Sequence, residues 1–290
     1  MLVRLLVSGL VVGMVYGLIG LGYSTVYKAS GLMNFVQGDM LTLGAFLGYT
    51  YYAVLGLPYI PALICTIITV FLFGIVLEKT VIRKILNKNI AAVYVVLATI
   101  ALSYVVQNGS RMIWGAYMLT MPSAFETSKI TLFGIKFQTE MIVTIGVSLV
   151  VMLALHLFMS KSKFGTAMRA AAIDPMAAKA CGINVSLTTG VTWGIAASVA
   201  ALGGMLVSPI YGVYLALGTK LGDKAFAGAV LGGYGNMYGA MVGGVLLGLA
   251  ETFISGFIAS QFKNLIVYVL LLVLLFVKPT GIFNERAIQD

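Results

Sequence analysis

The sequence predicts an all-α fold: a polytopic helical membrane bundle of about eight spans, one or two of them interrupted, forming a single transmembrane domain over residues 1–290. Three observations predict it. First, 60% of the residues are apolar and only 9% are charged, with a mean hydropathy of +1.04, whereas a soluble domain carries roughly a quarter charged residues. A water-soluble globule of this size has too little interior for so much apolar side chain. Second, the apolar residues fall in blocks long enough to span a membrane, about 20 residues each. Third, the basic residues sit mostly between those blocks, as topology requires. Together these exclude a soluble enzyme, a disordered regulator and a secreted disulfide scaffold.

The stretches run over 3–23, 35–57, 59–77, 91–114, 141–159, 187–208, 225–258 and 263–277. The first superficially resembles a signal peptide, but its apolar run is too long for an h-region, so it reads as a retained span. The second belongs to an interrupted segment, 24–57. After the third comes a basic loop, 78–90, with Lys79, Arg83, Lys84 and Lys88. The loop at 115–140 balances Lys129 and Lys136 against Glu126 and Glu140. A second basic loop, 160–186, carries Lys161, Lys163, Arg169 and Lys179. Two spans separate the basic loops, so both face one side, the cytoplasm by the positive-inside rule. The 115–140 loop and 209–224 then face outward. As one straight helix, 225–258 would reach about 50 Å, against a hydrocarbon core of about 30 Å. A break at Gly232-Gly233-Tyr234-Gly235-Asn236 resolves the mismatch. Counting the interrupted segments once each places both termini outside. Counting each twice places both inside, where Arg4, Lys278 and Arg286 sit better, and this second count is favoured.

Net charge is +9, from 18 basic and 9 acidic residues. Its placement between spans points to anionic lipid headgroups and not to nucleic acid. Cys65 and Cys181 lie far apart and have no metal or redox spacing. Glycine is abundant, at 34 residues, and within the spans ten of them repeat at fourth-residue intervals: Gly9, Gly13 and Gly17; Gly44 and Gly48; Gly190 and Gly194; Gly235, Gly239 and Gly243. Such spacing lets helix backbones approach closely in lipid. The two most interrupted stretches, Gly31 to Gly48 and Gly228 to Gly248, lie in opposite halves, the pattern of broken helices beside a transport site.

No enzyme constellation is visible. His156 stands alone and reads as an interfacial or packing residue, with no second histidine for a metal site. No Gly-Lys dipeptide occurs, so the phosphate-binding loop is absent. Any ATP-driven motor must be another chain. Asp39 is the most informative ionisable group, because a carboxylate at depth is costly and faces the bundle interior or a wet cavity. With Asn34, Gln37 and Gly38 it forms either a polar patch beside a substrate path or a cap where a helix restarts. Glu251, near Thr252 and Ser255, reads as structural first and functional second. In 160–186, Gly165 to Ala172 favours helix. Asp174-Pro175 suits an N-cap and first-turn proline of a second short helix, and Gly182 its stop. Two helices too short to span make a docking surface or an interfacial segment on lipid.

These residues also carry a resemblance. Gly31-Leu-Met-Asn-Phe-Val-Gln-Gly-Asp39, Gly165-x-Ala-x-Arg169-Ala with Gly182-Ile-Asn184, Lys224-Ala-Phe-x-x-Ala-Val-Leu-Gly-Gly-x-Gly235 and Pro279-Thr-Gly-Ile282 together make the chain similar, over essentially its whole length, to permease subunits of bacterial branched-chain amino acid ABC transporters of the LivH type. The resemblance implies a multi-pass protein of the cytoplasmic (inner) membrane, importing leucine, isoleucine and valine by alternating access. It implies a second, related permease, two ATPase subunits and an extracytoplasmic amino-acid-binding protein as partners. ATP and Mg would bind to the ATPases, and no cofactor to this chain. Family members dock the helix pair on the ATPase, which here would use Gly165, Arg169, Ala170, Asp174, Ala178 and Gly182. Relatives with these motifs carry other amino acids, amides or urea, which remain alternatives for the cargo. A self-sufficient secondary transporter or channel, with Asp39 or Glu251 as coupling carboxylate, is the alternative class.

Overall fold

The computed structural model describes residues 2–86, 88, 92–125, 129–132, 135–257 and 261–283. Among these, six helices are long and apolar enough to cross a membrane: Leu2–Ser30, Tyr59–Leu86, Val93–Trp114, Thr139–Lys161, Val185–Tyr211 and Met237–Phe257. The chain order is α1 (Leu2–Ser30), α2 (Gln37–Tyr49), α3 (Tyr59–Leu77), α4 (Arg83–Leu86), α5 (Ala92–Trp114), α6 (Thr139–Lys161), α7 (Lys163–Ile173), α8 (Pro175–Ala180), α9 (Val185–Tyr211), α10 (Leu217–Gly232), α11 (Met237–Phe257) and α12 (Lys263–Val277). π-helical turns extend α2 over Thr50–Val54 and join α3 to α4 over Glu78–Ile82. A small antiparallel hairpin, β1 (Lys129–Leu132) with β2 (Ile135–Gln138), occupies the 115–140 loop. The expected eight spans thus resolve into six long helices and three shorter ones, α2, α10 and α12.

Both expected interruptions are present. Gly31, at φ +67°, ends α1, and the chain passes through 32–36 before α2 starts. Gly233, at φ +112°, ends α10, a conformation open to glycine and strained for other residues. The Asn236 side chain then accepts from the Gly239 N–H at 3.0 Å and starts α11.

Two loop assignments need correction. The 209–224 region is only in part a loop: α9 runs on to Tyr211, a turn over 212–216 lies beside the 115–140 loop through the Leu119–Val213 bridge, and α10 begins at Leu217. Leu217, Gly218, Leu221 and Gly222 are buried. The segment looks like a loop because Thr219, Lys220, Asp223 and Lys224 lower its hydropathy, yet these residues line cavities between helices. Likewise 78–90 remains helical as far as Leu86.

The basic stretches lie at one end of the bundle. The Arg83 guanidinium forks onto buried Glu78 and donates to the Ser186 carbonyl at 2.7 Å. Ser30, Arg83 and Lys179 line one cavity there. The start of α1 lies at the opposite end, where a Cβ on Gly256 would sit 2.7 Å from a Leu5 methyl. Residues 278–283 return to the basic end: Ile282 N–H donates to the Leu231 carbonyl at 3.0 Å, and nearby Tyr234 meets Tyr27 at 4.7 Å between ring centres. The start of α1 and the segment after α12 therefore lie at opposite ends. Segment 24–57 adds one crossing beyond α1, whereas 225–258 holds two, the end of α10 and all of α11. Arg286 and Glu126 lie outside the described residues.

This arrangement predicts that Cys181, which is exposed, resists a membrane-impermeant maleimide in intact cells and reacts in inverted vesicles. Lys84→Cys and Lys163→Cys should behave the same way. Labelling of any of the three in intact cells would overturn the orientation.

Packing follows the glycine spacing. α1 lies backbone to backbone on α11: a Cβ on Gly13 would sit 2.7 Å from the Val245 carbonyl oxygen. α10 meets α11 through Gly228, where an added Cβ would be 2.8 Å from the Gly244 Cα. In lipid such contacts matter because dispersion, not exclusion of water, holds spans together. α9 runs through the centre of the bundle, packed on α1, α2 and α3. α3 turns Ile60, Ile64, Ile68, Leu72 and Val76 outward, a fourth-residue apolar stripe suited to lipid.

Candidate substrate cavity and a shelf at the basic end

The two half-helices meet at their N-termini. A Cβ on Gly38 would lie 2.7 Å from the Gly218 carbonyl oxygen, and one on Gly218 would strike the Gly38 carbonyl. Gly218 N–H donates to Thr42 Oγ1 at 2.8 Å. Only glycines let α2 and α10 approach this closely. The contact gathers two positive helix ends beside Asp39, which sits in the first turn of α2 where the dipole favours a carboxylate.

Asp39 lines a cavity of about 520 Å³ bounded by α1, α2, α5, α10 and α12. It is 3% exposed, and its Oδ1 accepts from Gln107 Nε2 at 2.8 Å. The same amide reaches Ser103 Oγ at 3.3 Å and Thr219 Oγ1 at 3.4 Å. Asp223, Tyr23, Tyr104 and Tyr268 add to the polar lining, and Phe35, Ile100, Phe226 and Leu271 supply apolar wall. The sequence reading did not single out Ser103, Gln107, Thr219 or Asp223. Their signal was a polar pair four residues apart on each of two helices, one face in each case.

The four residues of the 34–39 patch divide. Gly38 and Asp39 line the cavity. Asn34 and Gln37 lie buried behind it. Asn34 Oδ1 accepts from Val36 N–H at 3.2 Å, and its Nδ2 reaches Gln37 Oε1 at 3.4 Å. Gln37 Nε2 donates to the Ala196 carbonyl at 2.8 Å. This pair ties the chain break to α9 and satisfies backbone groups that helix interruption leaves free. Glu251 is buried at a separate place, accepting from Tyr16 OH at 2.8 Å and ion-paired with Lys224. His156 bonds Tyr238 OH and Ser160. Among the described residues, no group of three His, Cys, Asp or Glu side chains could hold a metal ion.

At the basic end α7 and α8 form a shelf. Ser162 caps α7 by accepting from Gly165 N–H at 2.8 Å. A Cβ on Gly165 would sit 2.5 Å from the Met159 carbonyl oxygen, so α7 lies tight on the end of α6. Arg169 turns back onto the Met159 and Ser160 carbonyls, a cation at the negative end of α6. Asp174 caps α8, its Oδ1 accepting from Met176 and Ala177 N–H groups at 2.8 and 3.0 Å, with Pro175 in the first turn. Ala170 is half-buried and Ala178 buried, and α8 ends before Gly182. The exposed surface carries Ile173 and Met176, 77% and 75% exposed.

A helical bundle in which two half-helices meet at a buried carboxylate is the architecture of a membrane transport protein. Over residues 5–276 the chain matches the family described as the permease component of branched-chain amino acid transport systems, and it belongs to that family. It is 33% identical to the high-affinity branched-chain amino acid transport system permease protein BraD of Pseudomonas aeruginosa, over 98% of this chain and 96% of the relative. Identity is 31% to LivH of Salmonella typhimurium and 30% to LivH of Escherichia coli, each over 97% of this chain and 95% of the relative. The protein is thus a multi-pass permease subunit of the inner membrane, as its sequence motifs implied.

Proposed function

We propose that this chain imports leucine, isoleucine and valine through the Asp39 cavity, driven by ATP hydrolysis in separate subunits. The observation that carries this reading is a buried carboxylate at the touching ends of two half-helices, within a permease of this family. A zwitterion crossing hydrocarbon needs partners for both charges, since stripping their water unpaired is prohibitive. Asp39 suits the ammonium and the positive ends of the two half-helices suit the carboxylate. Phe35, Ile100 and Leu271 suit a branched apolar side chain. The cavity lies against the exposed face of α5, where Tyr104 is open. A polar opening toward lipid is costly, and a second permease subunit covering this face would remove the cost. Two ATPases would bind ATP and Mg, and an extracytoplasmic binding protein would deliver the amino acid.

The α7–α8 shelf supports ATPase docking, because it is rigidly joined to α6 and α9 and presents apolar side chains at the basic end. The double variant Ile173→Asp and Met176→Asp should cut ATPase co-purification and leucine uptake at least about tenfold, a loss of ~1.4 kcal/mol or more, with membrane insertion intact. Undiminished co-purification would remove the shelf from the interface. The function as a whole is tested with the full complex in proteoliposomes. Labelled leucine should enter only with ATP and the binding protein. Uptake by the permease alone on an ion gradient, or uptake of amides or urea but not leucine, would contradict the reading.

A further inference from the structure

On the other side of α10 lies a second cavity, of about 420 Å³. Its chemistry is the reverse of the first. Asp39 and Asp223 face the Asp39 cavity, whose lining among the described residues has no cationic side chain. The second cavity has Lys220, Lys224 and Lys263 against one carboxylate, Glu251. Glu251 is already engaged: Tyr16 OH donates to one oxygen, and Lys224 pairs with the other. Lys263 also ion-pairs with that same oxygen, at 3.6 Å, with 40% of its side chain exposed. Lys220 lies over the Tyr214 ring, 5.2 Å from its centre. Lys224 and Lys263 therefore share one carboxylate oxygen, and with Lys220 the cavity holds more positive than negative charge among the described residues. Leu5, Val12 and Leu221 add an apolar wall beside them.

The cavity's position is informative. It is built from the first half of α1, the last turns of α11 and the start of α12, away from the basic loops. For an importer that is the end at which cargo arrives. Thr219 and Asp223 look into the Asp39 cavity, and Lys220 and Lys224 into this one. One half-helix thus separates a cationic chamber from an anionic one.

We infer that this cavity is a receiving site for the α-carboxylate of the incoming amino acid, held by Lys220 and Lys263 before the ammonium engages Asp39. The inference rests on the reading of the chain as an amino acid importer. A lysine ammonium forms a charge-assisted hydrogen bond with a carboxylate oxygen, and the apolar wall receives the side chain. The Lys224–Glu251–Tyr16 network fixes the floor and is not consumed by the ligand.

The test uses the assembled permease–ATPase complex without binding protein, and compares labelled leucine with leucinamide, which keeps the side chain and ammonium but lacks the carboxylate. The unaltered complex should bind leucine about tenfold more tightly. The double variant Lys220→Gln and Lys263→Gln should lose that preference, leucine binding falling about tenfold and leucinamide binding staying unchanged. Asp39→Asn should retain the preference. The site is overturned if the unaltered complex shows no preference, if the double variant keeps it, or if both ligands weaken equally. It is also overturned if the variant sheds bound anionic phospholipid while leucine binding holds, which would make the cavity a lipid headgroup site. Failure of ATP-driven leucine uptake by the unaltered complex would instead overturn the importer reading, so the two failures are distinguishable.

Discussion

Asp39→Asn lowers ATP-driven leucine uptake at least about tenfold, while the chain still reaches the membrane and still carries its ATPases. Asparagine keeps the size of aspartate and an oxygen for the Gln107 amide, which donates to Asp39 at 2.8 Å. The fold around the cavity is therefore preserved, and what is lost is the charge opposite a substrate ammonium. A hydrogen bond to a charged group contributes about 1.5–3 kcal/mol, and each 1.4 kcal/mol is tenfold, which sets the expected loss at about ten- to a hundredfold. Uptake assayed in cells and corrected for permease abundance checks this. Uptake equal to the unaltered protein would reduce Asp39 to a helix-start residue.

Gly218→Val should have the largest structural effect. The α2–α10 contact is backbone on backbone, and a Cβ at Gly218 would strike both the Gly38 carbonyl and Thr42 Oγ1. Overpacking inside a core costs about 1–3 kcal/mol when side chains can yield. Here the Gly38 carbonyl belongs to backbone that cannot rotate aside. Monodisperse protein recovered in mild detergent should fall severalfold for Gly218→Ala and below detection for Gly218→Val. Gly146→Ala is the control: nothing lies within 4 Å of a Cβ there, so its recovery should match the unaltered protein. Normal recovery of Gly218→Val would mean that the half-helices can separate without loss of the fold.

The helical breaks were legible because length and glycine conflict with a membrane's thickness. Residues 225–258 are too long to cross once, and Gly232 to Asn236 is where the chain can turn. The shelf was legible for a different reason, since caps are local: Asp174 bonds N–H groups two and three residues ahead, as Asp174-Pro175 suggested, whereas the Ser162 and Asn184 caps were not singled out. The start of α10 was not legible. Hydropathy treats Lys220, Asp223 and Lys224 as solvent-facing, and a helix lined by polar cavities on two sides gives the same average as a loop. Neither was the lining of the Asp39 cavity. Gln107 and Asp39 are 68 positions apart, and only the meeting of α2, α5 and α10 brings them together. The sequence did group Asn34 and Gln37 in one patch, and they are hydrogen-bonded, but it could not say that the Gln37 amide turns onto α9 and that neither residue lines the cavity.

That the amino acid passes beside Asp39 is tested most directly at Thr219, whose hydroxyl lies 3.4 Å from Gln107 Nε2 and faces the cavity. In a full complex with Cys65 and Cys181 replaced by serine, Thr219→Cys should transport leucine and then lose uptake on reaction with a bulky thiol reagent. Saturating leucine should slow that reaction severalfold. Complete modification with uptake unchanged, and a rate indifferent to leucine, would place the path elsewhere.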